Sequence, residues 1–167
     1  MRVAILITLA LTIGAAGTTG AQKAALPDFS GIWVLNLAQS DFGGQPVPRG
    51  DTSKIVRAGD AYQVDQVGDF GPQRGGVQRL SYKWPASDGE ATSQLQQGAT
   101  LHVAVKDKGD TATFTAEFSV QGQIILHQTG REYLTDGGKV LHRETDLQQM
   151  QGDNQEPVHI TLVYDKR

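Results

Sequence analysis

The chain has 167 residues, a formal net charge of −3 and no cysteine. The length suits one domain with its own hydrophobic core, and the lack of cysteine excludes a disulfide framework. Its 15 basic residues are scattered among 18 acidic ones. Since no basic run could follow a phosphate backbone, we expect no nucleic acid partner.

The N-terminus has the pattern of a secretory signal peptide. One basic residue, Arg2, precedes an uncharged apolar run over 3–16, and small residues follow up to Ala21. The run is shorter than the roughly 20 residues that span a bilayer, and the small-residue exit is typical of cleavage. The sequence predicts a signal peptide over 1–21 and one β-barrel domain over 22–167. We expect an exported, periplasmic or extracellular monomer without a stable membrane span after cleavage.

Alternation of apolar and polar residues predicts strands along the rest of the chain. The clearest predicted strands are 31–37, 77–84, 100–106, 111–120, 123–134, 140–148 and 158–165, and weaker ones are 54–58, 61–67 and 90–95. Turn residues separate them, as in Gly59-Asp60 and Asp88-Gly89. The pattern predicts an all-β, antiparallel up-and-down barrel of about 8–10 strands, in which the last strand pairs with the first.

Two hairpins set the inner face of the predicted barrel. A two-residue Lys108-Gly109 turn gives three apolar pairs, which are Val105 with Ala112, Val103 with Phe114, and Leu101 with Ala116. At Gln121-Gly122, a two-residue loop would place Ile125 beside the phenylalanines. A three-residue loop would instead pair Ile124 with Phe118 and Leu126 with Ala116. The second alternative is favoured, because a slip of one residue would bury the polar set.

The 135–139 loop fixes a third register. Pairing Leu134 with Leu141 also places two complementary charge pairs opposite each other, Glu132 with Arg143 and Arg131 with Glu144. The same parity points Glu132 and Arg143 inward. Either both stay hydrated near an open end, or the register is off by one, or a partly wet cavity lets Arg143 meet an anionic ligand group.

The inner face supplies the candidate ligand-binding residues. They are Tyr82, Trp84, Val103, Phe114, Phe118, Leu126, Glu132, Arg143 and Tyr164. Small residues interleave with them at Ala112, Ala116 and Gly130 and could open a cavity. Alternating large and small residues also pack a solid core, so the same pattern fits a filled barrel.

The sequence carries no constellation that indicates catalysis. The four histidines, at 102, 127, 142 and 159, alternate outward, so we expect no metal site. The carboxylates lack a partner nucleophile. The Gly-rich stretch over 68–76 is flanked by predicted strands rather than by a helix, so it is interpreted as a loop at a barrel mouth. We expect no enzyme, no catalytic residues and no cofactor.

A family resemblance rests on the first strand. Gly31-Ile32-Trp33 resembles the G-x-W motif of lipocalins and their calycin relatives, in which the Trp packs across one barrel end and the Gly lets the chain pass close by. The wider pattern resembles secreted bacterial lipocalin-like proteins of unknown function. Its marks are Phe29-Ser30-Gly31-x-Trp33-x-Leu35-Asn36, Ser40-Asp41-Phe42-Gly43, Pro46, Pro48 and the later Asp-Gly hairpins.

The chain departs from ten-strand lipid-binding proteins at two places. The Arg that such proteins usually carry two residues before the terminal Tyr is Leu162 here, and their helical lid corresponds to 38–52, which reads as a loop. The resemblance implies a non-catalytic barrel that binds a small apolar or amphipathic ligand, and because of these two departures the family's fatty-acid specificity is not carried over. The alternative is a packed barrel that acts as a structural, protein- or polysaccharide-interaction module in the cell envelope. A continuous apolar cavity would favour the former.

Overall fold

Ten strands make up the fold in a computed structural model, which describes residues 26–152 and 156–167. The predicted signal peptide lies outside the described residues. The strands are β1 (Gly31–Leu35), β2 (Gly50–Ala58), β3 (Ala61–Asp69), β4 (Val77–Pro85), β5 (Gly89–Gln94), β6 (Ala99–Asp107), β7 (Thr111–Val120), β8 (Gln123–Thr135), β9 (Val140–Gln149) and β10 (Val158–Lys166). In the described part of the chain, no helix has the length and hydropathy to cross a membrane.

The strands form one antiparallel sheet that curls into a nearly closed barrel. Their order is β4-β3-β2-β1-β10-β9-β8-β7-β6-β5, so consecutive strands are neighbours and β1 pairs with β10. The predicted all-β up-and-down architecture is confirmed, and so is the pairing of the last strand with the first. The sheet edges are β4 and β5, which face each other across an opening.

The opening between β4 and β5 is narrow at one end and wide at the other. Near the turn that joins the two strands, the Lys83 amide donates a hydrogen bond to Ser93 Oγ at 2.8 Å, and β4 is buried from Trp84 on. At its other end β4 is exposed from Val77 to Ser81. A cleft of about 500 Å³ lies there, with Leu80 and Leu95 in its walls.

Trp33 packs at the barrel end where the first and last strands meet. Its side chain is fully buried, and its indole N–H donates a hydrogen bond to the Phe29 carbonyl oxygen at 2.8 Å. The ammonium of Lys166 lies 5.1 Å from the ring centroid. A side chain at Gly31, where φ is +149°, would lie 2.6 Å from Lys166 Cε. Gly31 therefore lets Lys166 cross the strand and cover Trp33.

The register predicted for the β6–β7 hairpin is wrong by two residues. Val105 lies opposite Phe114, and Val103 opposite Ala116. The turn lies one residue further along the chain than predicted: the Lys108 amide donates a hydrogen bond to the Thr111 carbonyl oxygen at 2.9 Å, so Gly109 and Asp110 are at its centre. Asp107 supports this turn by accepting a hydrogen bond from the Gly109 amide at 2.8 Å. Since side chains in a strand alternate with a period of two, the same residues still face inward.

The register favoured for the β7–β8 hairpin is also wrong. The loop has two residues, Gln121 and Gly122, with φ of 52° and 79°, as a type I′ turn requires. A bulge beyond the turn makes Ile125 the extra residue, so Leu126 pairs with Phe118 instead of with Ala116. Without the bulge, the two-residue loop would turn the opposite face of β8 toward the barrel interior. The extra residue in the bulge restores the predicted inward face.

The register predicted for β8 and β9 is confirmed. Leu134 lies opposite Leu141, Glu132 opposite Arg143, and Arg131 opposite Glu144. On the outer face, Arg131 Nη2 lies 2.7 Å from a Glu144 carboxylate oxygen.

Gly130, in the middle of β8, admits a close approach of its neighbours instead of opening a cavity. A Cβ there would lie 2.8 Å from the Phe114 ring and still closer to the Glu144 carbonyl oxygen. Phe114 is therefore seated against bare backbone.

Replacing Gly130 with alanine is expected to lower the free energy of unfolding by about 1–3 kcal/mol, the range for forcing extra atoms into a packed core. Gly50→Ala is the matched control, since Gly50 is also in a strand and a Cβ there would meet nothing within 4 Å. Urea unfolding followed by far-UV circular dichroism gives both values. Equal values for the two variants would contradict the close approach.

Candidate ligand-binding cavity

The barrel interior contains a cavity of about 340 Å³. Most of its wall is apolar, and the side chains come from both halves of the sheet. The lining residues are Gln66, Phe70, Leu80, Tyr82, Trp84, Leu95, Leu101, Phe114, Ala116, Phe118, Gln128, Arg143, Thr145, Leu147, Ile160 and Leu162. This volume lies within the range of small-molecule sites.

A smaller pocket of about 170 Å³ adjoins this cavity below the loop between β1 and β2. The two spaces share wall residues, which are Gln66, Phe70, Ile160 and Leu162. Phe42 and Pro46 of the loop lie over the pocket, while Asp51 and Tyr164 border it from the barrel wall. The loop that was predicted over 38–52 is thus the roof of the pocket, although its last residues already belong to β2.

The structure divides the predicted site residues into two groups. Those that border the main cavity are Tyr82, Trp84, Phe114, Phe118 and Arg143, and Tyr164 borders the smaller pocket. Val103, Leu126 and Glu132 are not in either wall. Val103 is fully buried in the core. Among the small residues, Ala116 borders the cavity.

Glu132 and Arg143 form an ion pair inside the barrel. Arg143 Nε donates a hydrogen bond to Glu132 Oε1, and the two side chains are only 18% and 5% exposed. The guanidinium also lies over the Trp84 ring, 5.4 Å from its centroid. Burial opposes the charge of Arg143, but Glu132 and nearby tyrosines raise its pKa well above the ordinary value. The inward-facing cation, Arg143, is therefore already paired with Glu132. The two residues lie opposite each other, as predicted.

Asp51 is a second buried carboxylate beside this pair. It is 8% exposed, and its Oδ2 accepts a hydrogen bond from Gln66 Nε2 at 2.8 Å. Burial raises the pKa of Asp51, against the opposing effects of the Gln66 hydrogen bond and the Arg143 charge. The same buried environment raises the pKa of Tyr164 and Tyr82. The polar end of the barrel interior thus contains two acidic residues, Asp51 and Glu132, and one basic residue, Arg143.

Three buried polar atoms have no hydrogen-bond partner among the described residues: Asp51 Oδ1, Trp84 Nε1 and Thr145 Oγ1. Their side chains all border the two spaces described above. Leaving a buried polar atom without a partner costs about 1–3 kcal/mol, so such atoms are uncommon and call for an explanation. Asp51 borders the smaller pocket, whereas Trp84 and Thr145 border the main cavity, and each of the three atoms is itself fully buried.

The sequence analysis missed several wall residues, which are Asp51, Gln66, Phe70, Leu95, Gln128 and Thr145. Asp51 was placed in a loop because of the Gly and Pro residues before it. Asp51, Ser53 and Ile55 lie at every second position of β2, and all three are buried. This spacing is the sequence pattern that could have predicted an inward-facing Asp51. Polar residues on an inward face were discounted, although a binding cavity needs a few of them.

The four histidines lie on the outer face, as predicted. His159 contacts Asp146 at 2.7 Å, and the His142 ring stacks on Tyr133 with centroids 4.8 Å apart. Within 26–152 and 156–167, no three metal-ligating side chains come together.

The strands and the space they enclose together define an antiparallel up-and-down β-barrel with an interior cavity. The fold is similar to that in a crystal structure of apo Caenorhabditis elegans lipid binding protein 8, with a TM-score of 0.52 and 14% sequence identity. The similarity covers 83% of this chain and 95% of that one. No family model and no curated protein matches the sequence. At this identity the similarity concerns the fold alone.

Proposed function

We propose that the protein is an exported, non-catalytic binding protein for a small apolar or amphipathic molecule. The observation that carries the proposal is the cavity of about 340 Å³ with a largely apolar wall inside the barrel. The similar fold of a protein named as lipid binding supports it by analogy. Export rests on the N-terminal pattern of charge and hydropathy.

Two features of the wall suit an apolar guest. Phe114 and Trp84 pack edge to face with centroids 4.9 Å apart, which gives one side of the cavity a fixed aromatic surface. Phe42 and Phe70 are half-buried and border the cavity walls. A barrel that acted as a packed interaction module would be expected to have a filled interior and to expose both phenylalanine rings on its surface.

Filling the cavity is expected to weaken the binding of a neutral apolar dye such as Nile red. Ala116 lies in the wall of the cavity and is 3% exposed. An Ala116→Phe variant places an aromatic ring in the space, and we expect about a tenfold or greater loss of dye affinity. Fluorescence titration measures it, and Ala116→Leu serves if the larger side chain prevents folding.

Thr115→Phe is the matched control, because Thr115 is the preceding residue on β7 and is exposed. The added ring then lies on the outer face, and dye affinity should stay close to that of the native chain. Equal affinities for the inner and outer variants would place the dye outside the barrel. That result would favour the packed interaction module.

A further inference from the structure

We propose that the bound molecule is a single-chain amphiphile that holds its apolar chain in the main cavity and its hydrated head group outside, in the cleft between β4 and β5. The proposal rests on the proposed function and adds to it the class of the ligand and its orientation. It is carried by the position of the cleft beside the cavity, the polarity of the cleft wall, and the pairing of the charges inside the barrel.

The cleft adjoins the cavity through shared side chains. Gln66, Leu80 and Leu95 border both the cavity of about 340 Å³ and the cleft of about 500 Å³. Because each of these side chains borders both spaces, no more than one layer of side chains separates them. Leu80 lies on the inward face of β4 with Tyr82 and Trp84, which are buried, yet it is 41% exposed. The barrel wall is therefore thin beside Leu80, where an extended apolar chain would pass from the cavity into the cleft.

The wall of the cleft is mostly polar, whereas the wall of the cavity is mostly apolar. Beyond the three shared side chains, the cleft is lined by Asp65, Val67, Arg79, Ser81, Gln94 and Gln96. All of these except Val67 are polar and exposed. A head group in the cleft would keep its contact with water and meet hydrogen-bonding side chains from both edges. An apolar wall followed by a polar one is the arrangement that suits an amphiphile.

The described cleft wall contains one cation and one carboxylate. The cation is Arg79, and the carboxylate of Asp65 accepts a hydrogen bond from the Ser81 hydroxyl at 2.6 Å. Exposed charges of this kind each contribute little to binding, and one of each sign favours neither an acidic nor a basic head group. A hydrated head group without net charge, such as a sugar, fits this wall best.

The opposite orientation, with the head group inside the barrel, is disfavoured by the charges already there. Arg143, the cation that borders the cavity, is paired with Glu132, and their side chains are only 18% and 5% exposed. A head group placed beside this pair would lose its hydration without gaining a free counter-charge. The apolar chain is instead favoured there, because most of the cavity wall is apolar.

Head-group size provides the first test. The probes 1-decanol and decyl maltoside have the same chain, but the disaccharide of the second is too large and too hydrated to be enclosed with it. Each displaces Nile red from the native protein in a fluorescence titration, at concentrations below those at which decyl maltoside forms micelles. We expect the two affinities to agree within about tenfold, because the sugar stays in the cleft. If the ligand had to be enclosed completely, decyl maltoside would bind about a hundredfold more weakly, because its hydroxyls would be buried without partners.

The second test locates the head group, and it uses the lack of cysteine in the chain. Gln94→Cys places a single thiol in the cleft wall. Decyl methanethiosulfonate reacts with a thiol through the polar end of its chain, forming a disulfide and releasing methanesulfinate. Dividing its rate by that of methyl methanethiosulfonate at the same thiol corrects for the reactivity of the thiol itself. We expect this ratio to be about tenfold or more higher at Gln94→Cys than at thiols elsewhere, because binding holds the reactive end beside it.

Gln45→Cys and Thr115→Cys are the matched controls. Gln45 is in the loop over the smaller pocket, so its thiol reports a head group at that end of the barrel. Thr115 is exposed on the outer face of β7, so its thiol gives the ratio for a surface position.

The outcomes separate the two proposals. If Nile red and 1-decanol bind but decyl maltoside does not, the proposed orientation is overturned and the binding function stands. A rate ratio at Gln94→Cys that is no higher than at either control thiol also overturns it. If neither the dye nor any decyl compound binds, the proposed function itself fails, and the orientation fails with it.

Discussion

Replacing Trp33 with alanine is expected to lower the free energy of unfolding by about 3–5 kcal/mol, the range for truncating a buried large aromatic side chain. The indole is fully buried, bonds the Phe29 carbonyl oxygen and lies under the Lys166 ammonium. Truncation would empty the barrel end at which the first and last strands pair. Urea unfolding followed by far-UV circular dichroism measures the loss without relying on tryptophan emission.

Ile32→Ala is the control for this prediction, since Ile32 is the preceding residue and is 45% exposed. Its truncation should cost much less, because a partly exposed side chain leaves no cavity. A loss of under about 1 kcal/mol for Trp33→Ala would mean that Trp33 does not hold the barrel end together.

Replacing Arg143 with methionine is expected to cost about 3–5 kcal/mol of stability, because it leaves the Glu132 carboxylate buried without its counterion. The double variant Glu132→Leu with Arg143→Met removes both charges. Since an apolar pair of similar volume often replaces a buried ion pair without loss, the double variant should be more stable than the single one. A double-mutant cycle in urea gives the coupling.

The control is on the same two strands. Arg131 and Glu144 also form a cross-strand ion pair, but Arg131 lies on the outer face in solvent. Arg131→Met should therefore leave the urea midpoint close to that of the native chain. If Arg131→Met and Arg143→Met shifted the midpoint equally, the buried pair would have no special role in stability.

The parts of the fold that could be predicted from the sequence are those that depend on the alternation of apolar and polar residues along strands. The parts that depend on the length or position of a turn could not be predicted. Leu134, Leu141 and two complementary charge pairs agreed on a single register for β8 and β9, and that register is confirmed. At the β6–β7 turn the apolar pairs fitted two registers equally well. The Asp107 side chain favours the observed register, because it accepts a hydrogen bond from the Gly109 amide within the turn. A local hydrogen bond of this kind leaves no trace in the hydropathy pattern.

The polar end of the cavity was less predictable than its apolar wall. The inward positions of Phe114 and Trp84 can be predicted from the alternation of side chains along their strands alone, because an aromatic side chain on the inner face must lie in the barrel interior. Asp51 and Thr145 look like ordinary strand residues that belong in solvent. They face inward because backbone register fixes the face of each residue whatever its polarity, and their burial becomes informative only once the neighbouring atoms are known.

The opening between β4 and β5 has a kinetic consequence. Its two edges are consecutive strands joined by a short turn, so they can separate while every backbone ladder of the sheet stays intact. If the proposed binding function holds, exchange of a bound molecule would need only a local fluctuation, with a free-energy cost well below that of global unfolding. The amides of Val77 to Ser81 should be among the first strand amides to exchange with deuterium. The residence time of a bound molecule and the thermodynamic stability of the fold would then depend on different sets of residues.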